Sequence, residues 1–112
     1  MIVDDLIPQP KNVEPFKRAR LRFVPERSGC YVLASFSQVI LYVGLATSLR
    51  SRMINHLDSP EKTEETKFGR ATLFFWLETS DLNKVERSWM NVHIQREGKL
   101  PILNTSYSPV RV

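Results

Sequence analysis

The sequence predicts a mixed α/β domain of the α+β kind, a small three-stranded antiparallel sheet flanked by helices. Two short runs rich in β-branched and aromatic residues, 29–36 and 39–44, stand close enough together to form a hairpin. A third run, residues 71–77, is apolar at successive positions and therefore central or covered on both faces. Segments 47–57 and 81–97 carry helical periodicity around these strands. At 112 residues the chain makes one domain, long enough to bury roughly two thirds of its unfolded surface.

Composition narrows the setting. Sixteen Lys and Arg against twelve Asp and Glu give a formal net charge of +4 and a pI near 9.5. That balance is a weak pointer to an anionic partner such as nucleic acid. The single cysteine, Cys30, excludes an internal disulfide, and no Cys/His cluster is spaced for structural zinc. Cys30 reads as a small buried apolar side chain. No apolar run approaches the ~18 residues of a membrane span, and the first residues lack the pattern of a signal peptide. The expectation is a reducing, cytoplasmic setting with no membrane partner.

Along the chain, Pro8, Pro10 and Pro15 predict an extended or irregular start. Lys17, Arg18, Arg20, Arg22 and Arg27 follow, interleaved with Phe16, Leu21 and Phe23. This is either a basic arm for phosphates or a solvated strand or helical turn docked through Leu21 and Phe23. Residues 1–27 thus read as a basic extension packing on the domain. In the hairpin, an even-length loop centred between Phe36 and Ser37 sets Tyr31 directly opposite Tyr42 on one face.

The first long helix has Thr47 or Ser48 as N-cap, and Leu45, Leu49, Met53 and Leu57 as its apolar stripe. Arg52 and His56 project beside that stripe, so they need polar partners or a solvent-filled cleft. Residues 58–70 form a charged loop whose Glu61, Glu64 and Glu65 would repel a phosphate backbone; Lys67 and Arg70 lie at its far end. The second helix is capped by Ser80 or Asp81, closed by Gly98, and apolar along Leu82, Val85, Trp89 and Val92 with Met90 at the flank. Glu86 falls on its inward side and requires a cation, an Arg or a metal. His93 reads as a satisfied core or rim histidine. Residues 101–104 are expected to be extended, with 106–112 a tail.

The constellation resembles the GIY-YIG nuclease superfamily. The first motif is Gly29-Cys30-Tyr31 and the second Tyr42-Val43-Gly44. Arg52 lies eight positions beyond Gly44, preceded by the apolar Leu49, and His56 follows one turn later. Glu86 matches the family's metal-binding carboxylate, and Asn104 ends a matching Pro-x-x-Asn segment, Pro101-Ile102-Leu103-Asn104. The resemblance spans residues 28–105. Cys30 and Val43 replace the commoner Ile, and Leu45 stands where many members carry a Lys.

The resemblance implies a metal-dependent endonuclease hydrolysing phosphodiester bonds in nucleic acid, DNA in preference to RNA. Its catalytic set would be Tyr31, Tyr42, Arg52, His56, Glu86 and Asn104, with Mg²⁺ (or Mn²⁺) on Glu86. Tyr31 is implied as general base, and with a free pKa of about 10 it needs nearby positive charge, which Arg52 and the metal could supply. Arg52 would contact the phosphate oxygens, while Tyr42 and His56 position water or phosphate. Asn104 would hold the site through hydrogen bonds. Lys17, Arg18, Arg20, Arg22, Arg27, Arg50 and Arg52 are the candidate nucleic-acid-binding cations. With little room for a separate recognition segment, specificity would come from a homodimer or a protein partner.

Other readings stay open at this level. The two tyrosines could be packing aromatics, Arg52 and Glu86 a buried ion pair, and His56 a capped core histidine. In function, the alternatives are a catalytically inactive or partner-dependent nucleic-acid-binding module of the same fold, or a protein-interaction domain.

Overall fold

A computed structural model describes residues 1–104, so Thr105 and the expected 106–112 tail lie outside the described residues. Four strands form one antiparallel sheet in the order β1-β4-β2-β3: β1 (Asn12–Pro15), β2 (Gly29–Ala34), β3 (Ile40–Ala46) and β4 (Leu73–Glu78). The architecture is the expected antiparallel sheet flanked by helices, with one strand more than the sequence predicts. That strand is β1, from the proline-containing start. It is possible there because β1 is an edge strand that ends at Pro15, where a missing N–H costs no ladder bond.

Helix α1 (Leu49–Leu57) packs on one face of the sheet and α3 (Leu82–Glu97) on the other. Alternation along the strands builds both cores. Tyr31, Leu33, Phe74 and Trp76 face Leu49 and Met53 of α1. Cys30, Val32 and Ala34 face Val85, Trp89 and Met90 of α3. Trp89 is fully buried, and its indole N–H donates to the Pro8 carbonyl at 2.8 Å. A side chain of that size contributes about 1.5–3 kcal/mol by burial alone.

The hairpin register differs from the expected one. Tyr31 pairs with Gly44, and Leu33 is the residue opposite Tyr42. The turn is the reason. Ser35 accepts from the Gln38 N–H and donates its own N–H to Val39, with Gln38 left-handed at φ 68°, so the loop has an odd number of residues. A bulge between Leu33 and Ala34 then adds one more, and the two shifts together move the register by two positions. An even displacement keeps Tyr31 and Tyr42 on one face, as diagonal neighbours with ring centres 6.0 Å apart.

Four further expectations need correction. Leu45 belongs to β3 and packs with the α3-side core, because Ala46 still pairs with Gly29 and the helix starts only at Leu49. The 58–70 loop contains a short helix, α2 (Pro60–Thr63), started by a proline at its first position. On α3 the inward line includes Met90 and His93, while Val92 is only half-buried. Residues 101–104 form a turn closed by the Asn104 N–H on the Pro101 carbonyl.

Residues 1–27 are integral to the packing. The Met1 carbonyl accepts from Ile40 N–H, Val3 and Leu6 enter the α3-side core, and β1 pairs with β4 at the other sheet edge. The basic run forms a 3₁₀ helix, Arg18–Phe23, with Leu21 against the α1-side core and Phe23 largely exposed.

Candidate active site

Two glycines set the backbone of the site. A Cβ at Gly29 would lie 2.5 Å from the Leu77 carbonyl oxygen and 2.9 Å from a Leu49 methyl. A Cβ at Gly44 would lie 2.5 Å from the Tyr31 hydroxyl. Both positions therefore admit glycine through close approach alone.

Helix α1 is aimed by its first turn. Ser48 Oγ accepts the Ser51 N–H, and the Leu49 and Arg50 N–H groups donate to the carbonyls of Arg27 and Pro25 at 2.9 and 3.1 Å. This anchoring carries Leu49 and Met53 into the core and turns Arg52 and His56 toward the tyrosines. At the opposite end of the site, Asn104 acts as a backbone substitute on the edge of β3. Its Oδ1 accepts the Val43 N–H at 3.0 Å and its Nδ2 donates to the Val43 carbonyl at 2.9 Å.

A cavity of about 240 Å³ opens here, lined by Tyr31, Tyr42, Gly44, Leu45, Arg52, Asn83 and Glu86. Tyr31 Oη lies 2.5 Å from His56 Nε2, and the Tyr42 and His56 rings meet edge to face with centres 5.0 Å apart. Burial, then the Tyr42 side chain, push the Tyr31 phenol well above its usual pKa, outweighing the opposing pull of Arg52. Burial, then Lys62 and Arg52, depress His56 to about 4. A protonated phenol thus meets a neutral imidazole, and in the tautomer with the His56 proton on Nδ1 the phenol donates to Nε2. Among the protein's own charges, Arg52 alone does not offset that burial.

The donor set suits a hard divalent cation. Glu86 is 4% exposed, so its carboxylate is held at the cavity wall with little solvent of its own. Among the described residues no group of three or more His, Cys, Asp and Glu side chains is clustered for a metal. One carboxylate in a cavity with room for water fits Mg²⁺ or Mn²⁺ and not an all-protein cage.

Two other hollows contain no tyrosine. One of about 100 Å³ is lined by Ile40, Phe68 and His93, and one of about 460 Å³ by Glu26, Thr47 and Glu78. His93 donates from Nδ1 to the Lys99 carbonyl at 2.7 Å and is a satisfied buried histidine. Cys30 is buried with its thiol pushed up to about 12, chiefly by desolvation, which leaves it unreactive.

Among solved structures, the chain is similar to the GIY-YIG N-terminal endonuclease domain of UvrC from Thermotoga maritima bound to magnesium as its catalytic divalent cation. The match has 17% identity and a TM-score of 0.51, over 79% of this chain and 94% of that one. A point mutant of the same domain, bound to its catalytic divalent cation, matches with 17% identity and a TM-score of 0.51 over 80% and 94%. The fold is GIY-YIG-like. No family model and no curated protein matches the chain.

Within this GIY-YIG-like fold, Tyr31, Tyr42, Arg52 and Glu86 line one cavity, His56 bonds into it, and Asn104 braces the strand behind it. The basic candidates other than Arg52 do not line this cavity. Arg18 is paired with Asp58, Arg20 with Glu14 at 2.8 Å, Arg27 with Glu78 at 3.8 Å and Arg50 with Glu26 at 2.9 Å. Arg22 lies over the Phe23 ring, and neither it nor Lys17 has a carboxylate partner among the described residues. Two residues at the site were missed from sequence. Asn83 precedes Glu86 by three positions, so helical spacing could have found it. Lys62 stands within a stretch without periodicity and left no signal.

Proposed function

We propose that the chain is a metal-dependent endonuclease that hydrolyses phosphodiester bonds in nucleic acid, with DNA taken ahead of RNA. One observation carries this reading: side chains from β2, β3, α1 and α3 converge on a single cavity as two phenols, a guanidinium and a carboxylate. That set can serve hydrolysis, offering a proton acceptor for water, a fixed cation for the phosphate oxygens and an anionic ligand for a metal.

In the proposed reaction a water oxygen attacks phosphorus in line with the departing ester oxygen. The water proton passes to Tyr31 Oη while the Tyr31 proton passes to His56 Nε2, so no free phenolate is needed. The phosphorus–oxygen ester bond breaks, and the proton held by His56 returns through solvent to the released alkoxide. Arg52 offers two parallel N–H donors to the non-bridging oxygens. Glu86 would hold Mg²⁺ or Mn²⁺, which when bound supplies a Lewis acid at the phosphate. Tyr42 packs against His56 and limits the orientations open to its ring. Lys17 and Arg22, without carboxylate partners among the described residues, are the arm residues proposed to contact the strand away from the cleavage point.

Incubation with branched, single-stranded and duplex DNA and with RNA, in Mg²⁺ or Mn²⁺, tests the proposal. The expected result is cleavage that EDTA abolishes and that Glu86→Ala or Arg52→Ala each reduce at least ~100-fold. Metal-independent cleavage, or full activity in both variants, refutes the mechanism. Salt-sensitive binding without cleavage leaves a binding module instead.

A further inference from the structure

One charged side chain near the cavity has no part in the mechanism above. Lys62 belongs to α2, within a stretch that also carries Glu61, Glu64 and Glu65. Those three carboxylates are exposed, and Glu65 approaches Arg70 at 3.8 Å. Lys62 is half-buried, with its ammonium 4.8 Å from the centre of the Tyr42 ring. It has no carboxylate partner among the described residues.

The ring contact localises the ammonium without neutralising it, because a cation–π pair of this kind contributes only about 0.5–1 kcal/mol. The charge is close to the reacting groups: after burial, Lys62 depresses His56 more than Arg52 does. The cavity wall beside Gly44 is the aliphatic Leu45, so β3 brings no cation of its own to the site. A partly desolvated ammonium held over the Tyr42 ring, which with Arg52 lines the cavity, and without a carboxylate partner among the described residues, is arranged to receive a substrate anion.

We propose that Lys62 is a substrate-binding residue whose ammonium contacts a phosphate oxygen of the nucleic acid at the cavity mouth. The α1–β4 connection is then part of the substrate site despite its acidic composition. This rests on the endonuclease reading and extends it to a residue outside the catalytic set. A point charge on a flexible stem suits a phosphate bound near the reacting one, while the planar Arg52 addresses the reacting group itself.

The test measures binding of DNA and RNA oligonucleotides of one sequence in EDTA, between about 50 and 200 mM salt. Wild type is compared with Lys62→Gln, Lys62→Arg and Arg52→Ala, each checked for an unchanged melting transition. Lys62→Gln is expected to weaken binding about 5–10-fold and to lower the slope of log affinity against log salt by about 1, with Lys62→Arg within about twofold of wild type. In Mg²⁺ the Lys62→Gln loss should appear in KM, with kcat within about threefold. Coincident salt titrations for Lys62→Gln and wild type, where Arg52→Ala is weakened, overturn the role of Lys62 and leave the endonuclease reading intact. Wild type that neither binds nor cuts either polymer overturns both.

Discussion

Gly44 faces Tyr31 across the β2–β3 ladder, and the phenol passes through the space that a Cβ at position 44 would need. The glycine of the second motif is thus a steric counterpart of the tyrosine of the first. Gly44→Ala would set a methyl 2.5 Å from Tyr31 Oη and 2.7 Å from its ring carbon, so the ring must move. A displacement of about 1 Å at a reacting group is enough for a 10²-fold loss of rate. The expected outcome is a kcat at least ~100-fold down with a stability loss of about 1–3 kcal/mol, read by steady-state kinetics and denaturant unfolding. Wild-type kcat in a folded Gly44→Ala protein would remove Tyr31 from the mechanism.

Arg52 and Lys62 make opposite predictions under the same exchange. Lys at position 52 keeps the charge but loses the planar pair of donors, so Arg52→Lys should recover little of the rate lost in Arg52→Ala. Comparing kcat for the two variants checks this. Recovery to within about threefold of wild type would mean that charge alone is required there.

The sequence made the scaffold legible to different depths, and physical reasons separate the cases. Helix α3 could be read because its buried positions recur at helical spacing and Gly98 ends it in the left-handed conformation at φ 76°. The same spacing placed Glu86 inward, and it is indeed buried. The hairpin could be read as two strands but not in register, since Gln38 takes a left-handed turn position without being Gly, Asn or Asp. Strand β1 was hidden because an edge strand pairs on one side only and tolerates the prolines that argue against a strand. From composition the basic run read either as a phosphate-binding arm or as a solvated strand or helical turn docked on the domain. Arg20 pairs with the nearby Glu14, while Arg18 and Arg27 are matched to Asp58 and Glu78 by tertiary contacts between residues distant in sequence.

Asn104 ties the 101–104 turn to Val43, the residue between Tyr42 and Gly44. Asn104→Ala removes the partners of the Val43 N–H and of the Val43 carbonyl at once. The loss should cost about 1–3 kcal/mol, the penalty for leaving partly buried polar groups unsatisfied. Hydrogen exchange at the Val43 amide should accelerate well beyond the global change, because its acceptor is the Asn104 carboxamide oxygen. Unaltered protection at Val43 would show that the strand edge holds without the clamp.

The Tyr31–His56 pair ties both stability and activity to pH. Folded His56 titrates at about 4 against an ordinary value of 6.5, because burial and the cations Lys62 and Arg52 disfavour its charged form. Below pH 6.5 the unfolded chain binds a proton that the folded chain refuses, so stability rises with pH across this window. His56 alone should withdraw about 2 kcal/mol between neutral pH and pH 5. His93, also lowered by burial, acts in the same direction. His56→Gln should therefore flatten the pH dependence of unfolding free energy between pH 6.5 and 5 without abolishing it. Activity follows the same group by a different route. A protonated imidazole cannot accept the Tyr31 proton, so the acid limb of kcat should lie near the folded value of about 4 and not at 6.5. Rate measurements in Mg²⁺ from neutral pH down to the limit of folding decide it. An acid limb at the ordinary histidine value, persisting in His56→Gln, would assign proton acceptance to another group.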